Sequence, residues 1–478
     1  MLDINEGKNL LICCNQQHLL KYWDELSDEE KSILLNEIKQ LNIQEACEYF
    51  DSANTYSQQT QAQCDSSIKP LPSELYESYQ ATSSEKLKLY RDIGLKDISE
   101  GHVGVILLAG GQGTRIGVTY PKGMYKIGLP SDKSLFQIQA ERILKLESLS
   151  YEETGKKNII TWFIMTSEST MEPTKTYFEE NSYFGLEKDN VIFFEQGVLP
   201  CFTFDGKIIM DSKFKIAKAP DGNGGIYLAL EKKGILSEME KRGIKYVHVY
   251  SVDNILVKVA DPVFMGFCIH SNSDCGVKVV EKKLPNEGLG VVCVVDDKYR
   301  VVEYSEISNN TAEMKDNSGK LTYRAGNICN HFFTTAFLQK IAQQHESKLK
   351  LHVAKKKIPY IDSKGLKIKP EEPNGIKIEK FIFDVLEFSK NLVVWEVDRE
   401  HDFSALKNSN AAKTENPITS CQALYKLHNS YIKAAGGDVT PDAEGNVVCE
   451  VSPSVSYDGE GLKPLVNGKT FESPLLLK

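Results

Sequence analysis

Residues 108–122 read Leu108-Ala109-Gly110-Gly111-Gln112-Gly113-Thr114-Arg115-Ile116-Gly117-Val118-Thr119-Tyr120-Pro121-Lys122. The apolar, β-branched run Val103–Ala109 leads into them and predicts a buried strand. Glycines in the following turn let backbone N–H groups approach an anion without interference from a Cβ. Arg115 and Lys122 add positive charge for the same anion. The stretch therefore predicts a phosphate-binding loop at the carboxyl end of a parallel strand.

The loop matches neither of two common phosphate-binding fingerprints, the P-loop and the dinucleotide-binding loop. A P-loop needs Gly-Lys followed by Ser or Thr, which is absent, and the dinucleotide fingerprint needs Gly or Ala where Ile116 stands. A structural turn would explain the glycines, but not Arg115 and Pro121-Lys122 at fixed offsets. The pattern Leu108-x-x-Gly111-x-Gly113-Thr114-Arg115-Ile116-x-x-x-x-Pro121-Lys122 resembles the signature of sugar-nucleotide pyrophosphorylases that use UTP. Ile116 replaces the Leu or Met usual in that family, an apolar-for-apolar change.

Composition limits the class of protein. The chain has 478 residues, 41% hydrophobic and 26% charged, with a net charge of −9. A net negative charge gives no overall positive potential that would attract nucleic acid or an anionic membrane. No apolar run approaches the roughly 18 residues of a membrane span. The 11 cysteines are scattered without a Cys-x-x-Cys pair, so we expect free thiols and a cytoplasmic protein. The oligomeric state is left open.

Strand-like and helix-like runs alternate between about residues 100 and 395. This alternation predicts an α/β fold with a doubly wound, Rossmann-like mixed sheet of the nucleotide-diphospho-sugar transferase type. We expect a helical N-terminal segment over 1–100, a catalytic nucleotidyltransferase domain over 101–399 and a small β-containing C-terminal domain over 400–478. Ser27-Asp28-Glu29-Glu30 predicts a helix start with a capping box. The predicted strands are Val103–Ala109, Ile159–Thr166, Val191–Glu195, Tyr246–Val252 and Val291–Val295, and the predicted helices include Leu135–Ser148 and Gly225–Lys233.

A second glycine-rich loop reads Ala219-Pro220-Asp221-Gly222-Asn223-Gly224-Gly225. Taken alone, it is typical of a turn entering a helix, with Asn or Asp as the cap. Beside the first loop it resembles the family's uracil-binding loop, which implies that Pro220, Gly222 and Asn223 contact the nucleotide. Gln196 has the donor and the acceptor that a uracil edge needs. The resemblance assigns that role to it.

Asp253 follows the predicted strand Tyr246–Val252. A lone Asp after a strand is more often a cap or a turn residue, but a carboxylate among triphosphate ligands also suits Mg²⁺. The resemblance implies that Asp253 binds Mg²⁺, with Mn²⁺ as an alternative. On the sugar side it implies contacts from Gly290, Glu303 and Asn327.

The aromatic pair Phe381 and Phe383 is placed by period two on one face of a predicted strand, which is more often plain core. In the N-acetylhexosamine branch of the family, the matching aromatics help to enclose the acetyl group. Lys407 lies in Asp402-Phe403-Ser404-Ala405-Leu406-Lys407-Asn408, where Ala405 replaces a Pro of the family. A lone Lys is normally surface charge; the resemblance implies that this one closes over the phosphates.

The resemblance covers about residues 15–470 and is closest to UDP-N-acetylhexosamine pyrophosphorylases. It implies that UTP and N-acetylglucosamine-1-phosphate react to give UDP-N-acetylglucosamine and pyrophosphate, with N-acetylgalactosamine-1-phosphate as a further acceptor and the preference between the two sugars left open. It implies that Arg115, Lys122 and Lys407 are catalytic. It further implies substrate contacts from Leu108, Ala109, Gly110, Gly111, Gly113, Thr114, Gln196, Pro220, Gly222, Asn223, Asp253, Gly290, Glu303, Asn327, Phe381 and Phe383. The alternatives are a UDP-glucose pyrophosphorylase, a dinucleotide oxidoreductase and an inactive nucleotidyltransferase-like regulatory subunit.

Overall fold

The structure is a computed structural model that describes residues 4–478, and for residues 54–64 it describes the backbone only. Packing divides the chain into two compact units, each built from separate segments. Unit 1 comprises Met1–Ser66, Gln196–Ala229 and His345–Val385. Unit 2 comprises Ser67–Glu195, Leu230–Gln344 and Leu386–Lys478. These are not the three consecutive segments predicted from the sequence, and the division into 1–100, 101–399 and 400–478 stays a prediction.

Helices and strands alternate through most of the described chain. The strands are β1 Ile68–Lys69, β2 Tyr76–Ser78, β3 Val103–Leu108, β4 Thr161–Thr166, β5 Val191–Glu195, β6 Val198–Pro200, β7 Phe202–Thr203, β8 Met210–Ser212, β9 Lys215–Ile216, β10 Lys218–Pro220, β11 Tyr246–Ser251, β12 Cys275–Glu281, β13 Val291–Val295, β14 Lys298–Val302, β15 Ala325–Thr334, β16 His352–Lys356, β17 Tyr360–Ile361, β18 Lys367–Ile368, β19 Gly375–Glu379, β20 Leu392–Val397, β21 Asp438–Thr440, β22 Cys449–Val451, β23 Thr470–Glu472 and β24 Leu475–Leu477. The α-helices are α1 Ile4–Cys13, α2 Asp28–Gln40, α3 Ile43–Ser67, α4 Ser84–Ser99, α5 Leu135–Thr154, α6 Met171–Glu180, α7 Ile226–Lys232, α8 Ile235–Lys241, α9 Pro262–His270, α10 Asn309–Ala312, α11 Thr335–Lys340, α12 Arg399–Asp402, α13 Pro417–Ala434 and α14 Lys463–Val466.

Unit 2 is organised around an 11-stranded mixed sheet whose main order is β2-β20-β12-β15-β11-β3-β4-β5. Strands β11, β3, β4 and β5 run parallel to one another, as do β12, β20 and β2. The long strand β15 is antiparallel to both β11 and β12, which makes the sheet mixed. The predicted α/β class with a mixed sheet is confirmed, and the five predicted strands are all present.

The central strand β3 is buried along its whole length, because an apolar run without polar alternation suits a parallel strand covered on both faces. The predicted helix at Leu135 begins where Ser134 Oγ accepts a hydrogen bond from the amide of Gln137. It continues to Thr154 and ends at Gly155, which has φ +71°. A left-handed residue at that position favours glycine, so the helix is bounded by its own sequence.

Unit 1 contains α1, α2 and most of α3 together with short antiparallel sheets. The predicted capping box at the start of α2 is confirmed: Ser27 Oγ accepts from the Glu30 amide, and the Glu30 carboxylate accepts from the Ser27 amide. Leu34 and Ile38 of α2 are fully buried in the core of this unit. The largest of the sheets is β16-β19-β7.

The C-terminal part of unit 2 carries the predicted small β structure, with β21 paired to β23 and β22 to β24. The cysteines whose side chains are described are free thiols, as expected from their spacing. None of the described helices combines the length and apolar character that crossing a membrane requires.

Candidate functional site

The predicted phosphate loop lies at the carboxyl end of β3 in unit 2. Strands β3 and β11 are parallel, with Leu108 opposite Ser251. The loop from Gly110 and the segment at Asp253 therefore leave neighbouring strand ends at the same edge of the sheet, where ligands of open α/β sheets bind. The amide of Val252 donates to Leu108 O at 3.3 Å, so the two strand ends remain joined one residue beyond the ladder.

The loop closes on itself through two backbone hydrogen bonds. Gly113 N donates to Tyr120 O at 3.1 Å, and Lys122 N donates to Gly111 O at 3.3 Å. A Cβ at position 113 would lie 2.3 Å from Val118 Cγ2, whereas one at Gly111 would meet no atom within 4 Å. Gly113 is thus required for packing. Gly111 is exposed, and among the described residues none accepts a hydrogen bond from its amide, so this N–H can donate to a ligand.

Lys122 and Asp253 form an ion pair in unit 2, with Lys122 Nζ 3.6 Å from Asp253 Oδ2. Lys122 Nζ also donates to Leu406 O at 3.1 Å, and Ser251 Oγ donates to the Asp253 carboxylate. Burial acts to raise the pKa of Asp253, but Lys122, Ser251 and Lys407 outweigh it and lower that pKa below its ordinary value. The carboxylate is therefore ionised at neutral pH and available to a cation.

Hydrogen bonds from Asp253 and Asn254 hold the segment that carries Lys407 beside Asp253, although the two segments are far apart in the sequence. Asn254 Nδ2 donates to Asp402 O at 2.7 Å, and Asn254 Oδ1 accepts from the Ser404 amide at 3.0 Å. Leu406 N donates to Asp253 O at 2.9 Å. The ammonium of Lys407 lies 3.5 Å from Glu415 Oε1, and its side chain is about one-third exposed. We call Lys122, Asp253, Leu406 and Lys407 the Lys122–Asp253 cluster.

Below this cluster lies a buried charge network centred on Lys278. Its side chain has no exposed surface, and its Nζ donates to Asp261 Oδ2 at 2.6 Å and to Asp402 Oδ1 at 2.8 Å. Burial disfavours the charged ammonium, but Asp261 and Asp402 more than compensate and raise the pKa of Lys278. Because Asp402 begins the segment that carries Lys407, the network anchors that segment from inside unit 2.

Arg115 is exposed in the short 3₁₀ turn Thr114–Ile116. Within the described part of the chain no carboxylate forms an ion pair with it. An exposed guanidinium that is not already paired can bind a phosphate without first giving up a protein partner. Arg115 and Lys122 thus belong to the same loop but differ in environment.

The predicted sugar-side residues Gly290, Glu303 and Asn327 come together in unit 2. A Cβ at position 290 would lie 2.9 Å from Glu303 Oε1, so the carboxylate packs directly over the glycine. Asn327 N donates to Gly290 O at 2.8 Å. Buried Lys282 adjoins the group: burial lowers the pKa of its ammonium, although Glu287 and Glu303 act in the opposite direction.

In unit 1, the loop Ala219–Gly225, which we call the Asp221 loop, packs on the backbone that follows β19. Gly224 N donates to Lys380 O at 2.9 Å, and Lys380 N donates to Asp221 O at 2.8 Å. Asn223 Oδ1 accepts from the Ile382 amide at 3.0 Å. Gly222 has φ +87°, and a Cβ there would lie 2.4 Å from Lys380 O. The loop therefore needs glycine for its conformation and for its close approach to residue 380.

The structure also brings Gln196, Pro220 and Gly222 into this part of unit 1. Pro220 is exposed at the end of β10, opposite Val198 of β6. Gln196 Nε2 donates to Gly222 O at 3.2 Å. The predicted nucleotide-side residues of this unit are thus neighbours, although more than 20 residues separate Gln196 from Gly222 in the chain.

The predicted strand face for Phe381 and Phe383 is wrong. Strand β19 ends at Glu379, and Ile382–Phe388 forms a 3₁₀ helix. The Asp384 carboxylate accepts from the Phe381 amide at 3.3 Å, while Asp384 N donates to Phe381 O; this local turn replaces a strand ladder. The two rings still meet, with centroids 5.2 Å apart, and His352 stacks on Phe381 at 4.1 Å.

Sequence reasoning missed the residues that hold the functional side chains in place. Asn254, Asp261, Lys278 and Asp402 connect segments up to 150 residues apart, and no local motif marks such partners. Asp221 lies inside a loop that the sequence did single out, but its carboxylate was not assigned a role. The signal that could have found it is an acidic residue in a loop otherwise made of small residues.

These observations define a class of protein: an α/β protein of nucleotidyltransferase type with a glycine-rich phosphate loop, two loop cations and an aspartate at parallel strand ends. The chain matches the family model described as UTP–glucose-1-phosphate uridylyltransferase over residues 46–458 and belongs to this family.

Individual relatives match over nearly the whole chain. The chain is 47% identical to human UDP-N-acetylhexosamine pyrophosphorylase-like protein 1, covering 97% of this chain and 94% of that protein. It is 42% identical to UDP-N-acetylglucosamine pyrophosphorylase of Saccharomyces cerevisiae, covering 98% of each. The crystal structure of the uridine diphosphate N-acetylglucosamine pyrophosphorylase of Trypanosoma brucei superimposes with a TM-score of 0.82 at 29% identity, covering 95% of this chain and 93% of that one.

Proposed function

We propose that the protein transfers the uridylyl group of UTP to N-acetylglucosamine-1-phosphate, which yields UDP-N-acetylglucosamine and pyrophosphate. The names of its relatives over nearly the full chain support this substrate pair. The observation that carries the proposal is the Lys122–Asp253 cluster, in which an ion pair and the backbone carbonyl of Leu406, from three distant segments, meet at the end of parallel strands. N-acetylgalactosamine-1-phosphate, which differs at C4, is a second acceptor to test.

The proposed chemistry needs charge and alignment rather than a covalent intermediate. A phosphate oxygen of the sugar phosphate attacks the α-phosphorus of UTP in line, the bond to the β-phosphate breaks, and pyrophosphate leaves. The attacking oxygen is already anionic, so no general base is required. Arg115 and Lys122 would hold the triphosphate and stabilise the leaving pyrophosphate, while Lys407 would screen repulsion between the two anionic substrates.

Asp253 is the residue proposed to hold Mg²⁺, with Mn²⁺ as the alternative. Its carboxylate is ionised and one-fifth exposed, and Mg²⁺ is commonly bound by one or two carboxylates with substrate phosphates. Among the described side chains, one group of three potential metal ligands lies close together: Asp97, Glu100 and His102. Asp253 does not belong to that group. A lone carboxylate therefore fits an ion shared with the substrate. When bound, the ion would neutralise phosphate charge.

The remaining predicted contacts divide by chemistry. The backbone of the phosphate loop, from Leu108 to Thr114, would bind the phosphates and approach the nucleotide closely. We propose that the base is contacted by Gln196, Pro220, Gly222 and Asn223, and the sugar by Gly290, Glu303, Asn327, Phe381 and Phe383.

Two alternatives predict different assay results. A UDP-glucose pyrophosphorylase would share the phosphate loop but prefer glucose-1-phosphate. An inactive regulatory subunit would release no pyrophosphate with any sugar phosphate. The assembled cations and Asp253 favour activity, because a scaffold has no need of this costly concentration of charge. Free thiols in the described chain support a cytoplasmic location.

The test is pyrophosphate release from UTP and Mg²⁺ with N-acetylglucosamine-1-phosphate, N-acetylgalactosamine-1-phosphate or glucose-1-phosphate. We expect the N-acetylhexosamine phosphates to give the highest kcat/KM. Preference for glucose-1-phosphate would contradict the acceptor assignment. Release with none of the three, from protein that is folded and binds UTP, would support the regulatory alternative.

A further inference from the structure

We propose that Asp221 is a positioning residue that orients the carboxamide of Gln196 with its oxygen toward the pyrimidine, so that uracil is selected over cytosine. The inference rests on the proposed function, in which Gln196 contacts the base of the nucleotide. All the residues that carry it lie in unit 1.

The carboxamide of Gln196 has two acceptors on one side. Its Nε2 donates to Gly222 O at 3.2 Å and to Asp221 Oδ1 at 3.4 Å. A backbone carbonyl and a carboxylate both accept hydrogen bonds, so the group that faces them must be the N–H₂ and not the oxygen. No described residue donates a hydrogen bond to Gln196 Oε1. The oxygen is therefore left for a ligand.

Asp221 is held in place by packing that requires glycine on two sides. A Cβ at Gly197 would lie 2.4 Å from Asp221 Oδ2, and a Cβ at Gly225 would lie 2.0 Å from Asp221 Oδ1. The backbone of Asp221 is also held, since its amide donates to Gly197 O at 3.1 Å and its carbonyl accepts from Lys380 N at 2.8 Å. The carboxylate thus occupies space that only glycine at positions 197 and 225 leaves open, next to the carboxamide of Gln196.

The charge of Asp221 is maintained although the residue is only 4% exposed. Burial raises the pKa of Asp221 to about 6, while Lys380 and Gln196 lower it and Glu346 raises it. Lys380 itself pairs with Glu346 and lies over the ring of Tyr49. At pH 8 the carboxylate is ionised and accepts hydrogen bonds without donating any, which enforces the orientation of Gln196.

The exposed oxygen discriminates between the two pyrimidines. Uracil carries N–H at ring position 3, which can donate to Gln196 Oε1. Cytosine carries an unprotonated nitrogen there, so two acceptors would face each other. Facing acceptors leave both groups unpaired and cost roughly 1–3 kcal/mol, or about 5- to 150-fold in selectivity.

The first experiment measures kcat/KM for UTP and for CTP at pH 8 with the same sugar phosphate. We compare the full-length protein with Gln196→Ala, Asp221→Ala and Asp221→Asn. We expect Asp221→Ala to lower the UTP-to-CTP ratio about fivefold, because Gly222 O is then the one acceptor left facing the N–H₂ and the carboxamide turns toward cytosine more readily. Asp221→Asn retains an acceptor oxygen, so it should preserve most of the ratio.

The second experiment exchanges the two groups and retains the packing around Asp221. Gln196→Glu keeps an acceptor for uracil but places it against the Asp221 carboxylate, so kcat/KM for UTP should fall about tenfold or more. Adding Asp221→Asn restores a donor opposite the new carboxylate and should recover a large part of that loss. Should Asp221→Ala fail to fold, this exchange decides the matter.

The outcomes separate the inference from the function on which it rests. An unchanged UTP-to-CTP ratio in Gln196→Ala would show that Gln196 does not contact the base, which overturns both. A lowered ratio in Gln196→Ala with an unchanged ratio in Asp221→Ala would leave the base contact intact and overturn the role of Asp221. Full activity of Gln196→Glu with UTP would likewise overturn it.

Discussion

Charge dominates the Lys122–Asp253 cluster in unit 2, whereas the Asp221 loop in unit 1 is held mainly by backbone hydrogen bonds and by close packing around glycine. In the first region, Lys122 and Asp253 are paired with each other at 3.6 Å, and in the proposed reaction they would exchange that partner for phosphate and metal. In the second, Asp221 is enclosed and directs a neutral carboxamide. Binding of phosphate calls for mobile charge, and recognition of a base calls for a fixed hydrogen-bond pattern.

The strongest test of the charged region is Lys122→Ala. Removing this ammonium should lower kcat/KM by roughly 10²–10³, comparable to the loss of a preorganised donor to a transition state. The measurement is pyrophosphate release with UTP and N-acetylglucosamine-1-phosphate. Lys126→Ala is the control, since that lysine pairs with exposed Asp132 and should stay within a few-fold of the parent. A similarly small effect of Lys122→Ala would exclude it from catalysis.

Burial of Asp221 should make the free energy of unfolding depend on pH. The folded pKa of Asp221, about 6, lies above the ordinary value of 3.8, so the folded state binds more protons between about pH 4 and 6. Stability from this group is therefore lost as the pH rises through that window. The difference corresponds to about 3 kcal/mol at about 1.4 kcal/mol per pKa unit.

Urea denaturation of the parent and Asp221→Asn at pH 4.5 and 7.5 measures this effect. Relative to the parent, the Asn variant should gain stability at the higher pH, because it carries no carboxylate to ionise. Lys380 and Glu346 lie beside Asp221 and are unchanged in both proteins. A free-energy difference that does not vary with pH would show that Asp221 does not titrate in this window.

The buried network beneath the charged region is tested by Asp402→Asn. Lys278 would keep Asp261 as a partner, so we expect a loss of about 2 kcal/mol in the free energy of unfolding, together with a lower kcat. Asp92→Asn is the control, because that residue pairs with Lys88 at 2.6 Å on the surface, away from this network, and should cost less than about 1 kcal/mol. A loss of stability without a change in kcat would mean that the network does not position Lys407.

The smallest expected effect is that of Gly225→Ala, which changes the packing around Asp221 but leaves its charge in place. Gly225→Ala should displace the Asp221 carboxylate and lower the UTP-to-CTP ratio about fivefold, the effect expected of Asp221→Ala. In the Asp221→Ala background the same change should have little further effect, since the obstructed group is gone. Independent, additive losses would show that Gly225 acts on something other than Asp221.

Much of the fold could be predicted from local patterns. The buried strand at Val103, the strand at Tyr246 and the capping box at Ser27 depend on residues close together in sequence, and all three are confirmed. The strand predicted through Phe381 and Phe383 is wrong, because Asp384 forms a local turn that alternation of apolar residues does not reveal. The predicted site residues stay predictions, although the structure brings several of them together.

The partners of those residues could not be predicted in the same way. Lys278 and Asp402 are 124 residues apart, and Lys122 and Leu406 are 284 apart. Nothing in the composition of either segment specifies which distant group will meet it, because the sheet topology decides that.

By itself, the sequence determined the glycine and cation pattern of residues 108–122, the alternation of strands and helices, and the types of functional group present. These follow from backbone preferences and side-chain chemistry that act over a few residues. Tertiary structure alone decided that Asp402 anchors the segment of Lys407 and that Gln196 turns its oxygen outward. Orientation and pairing of this kind arise when segments far apart in the chain are packed together, since each buried donor and acceptor must then find a partner.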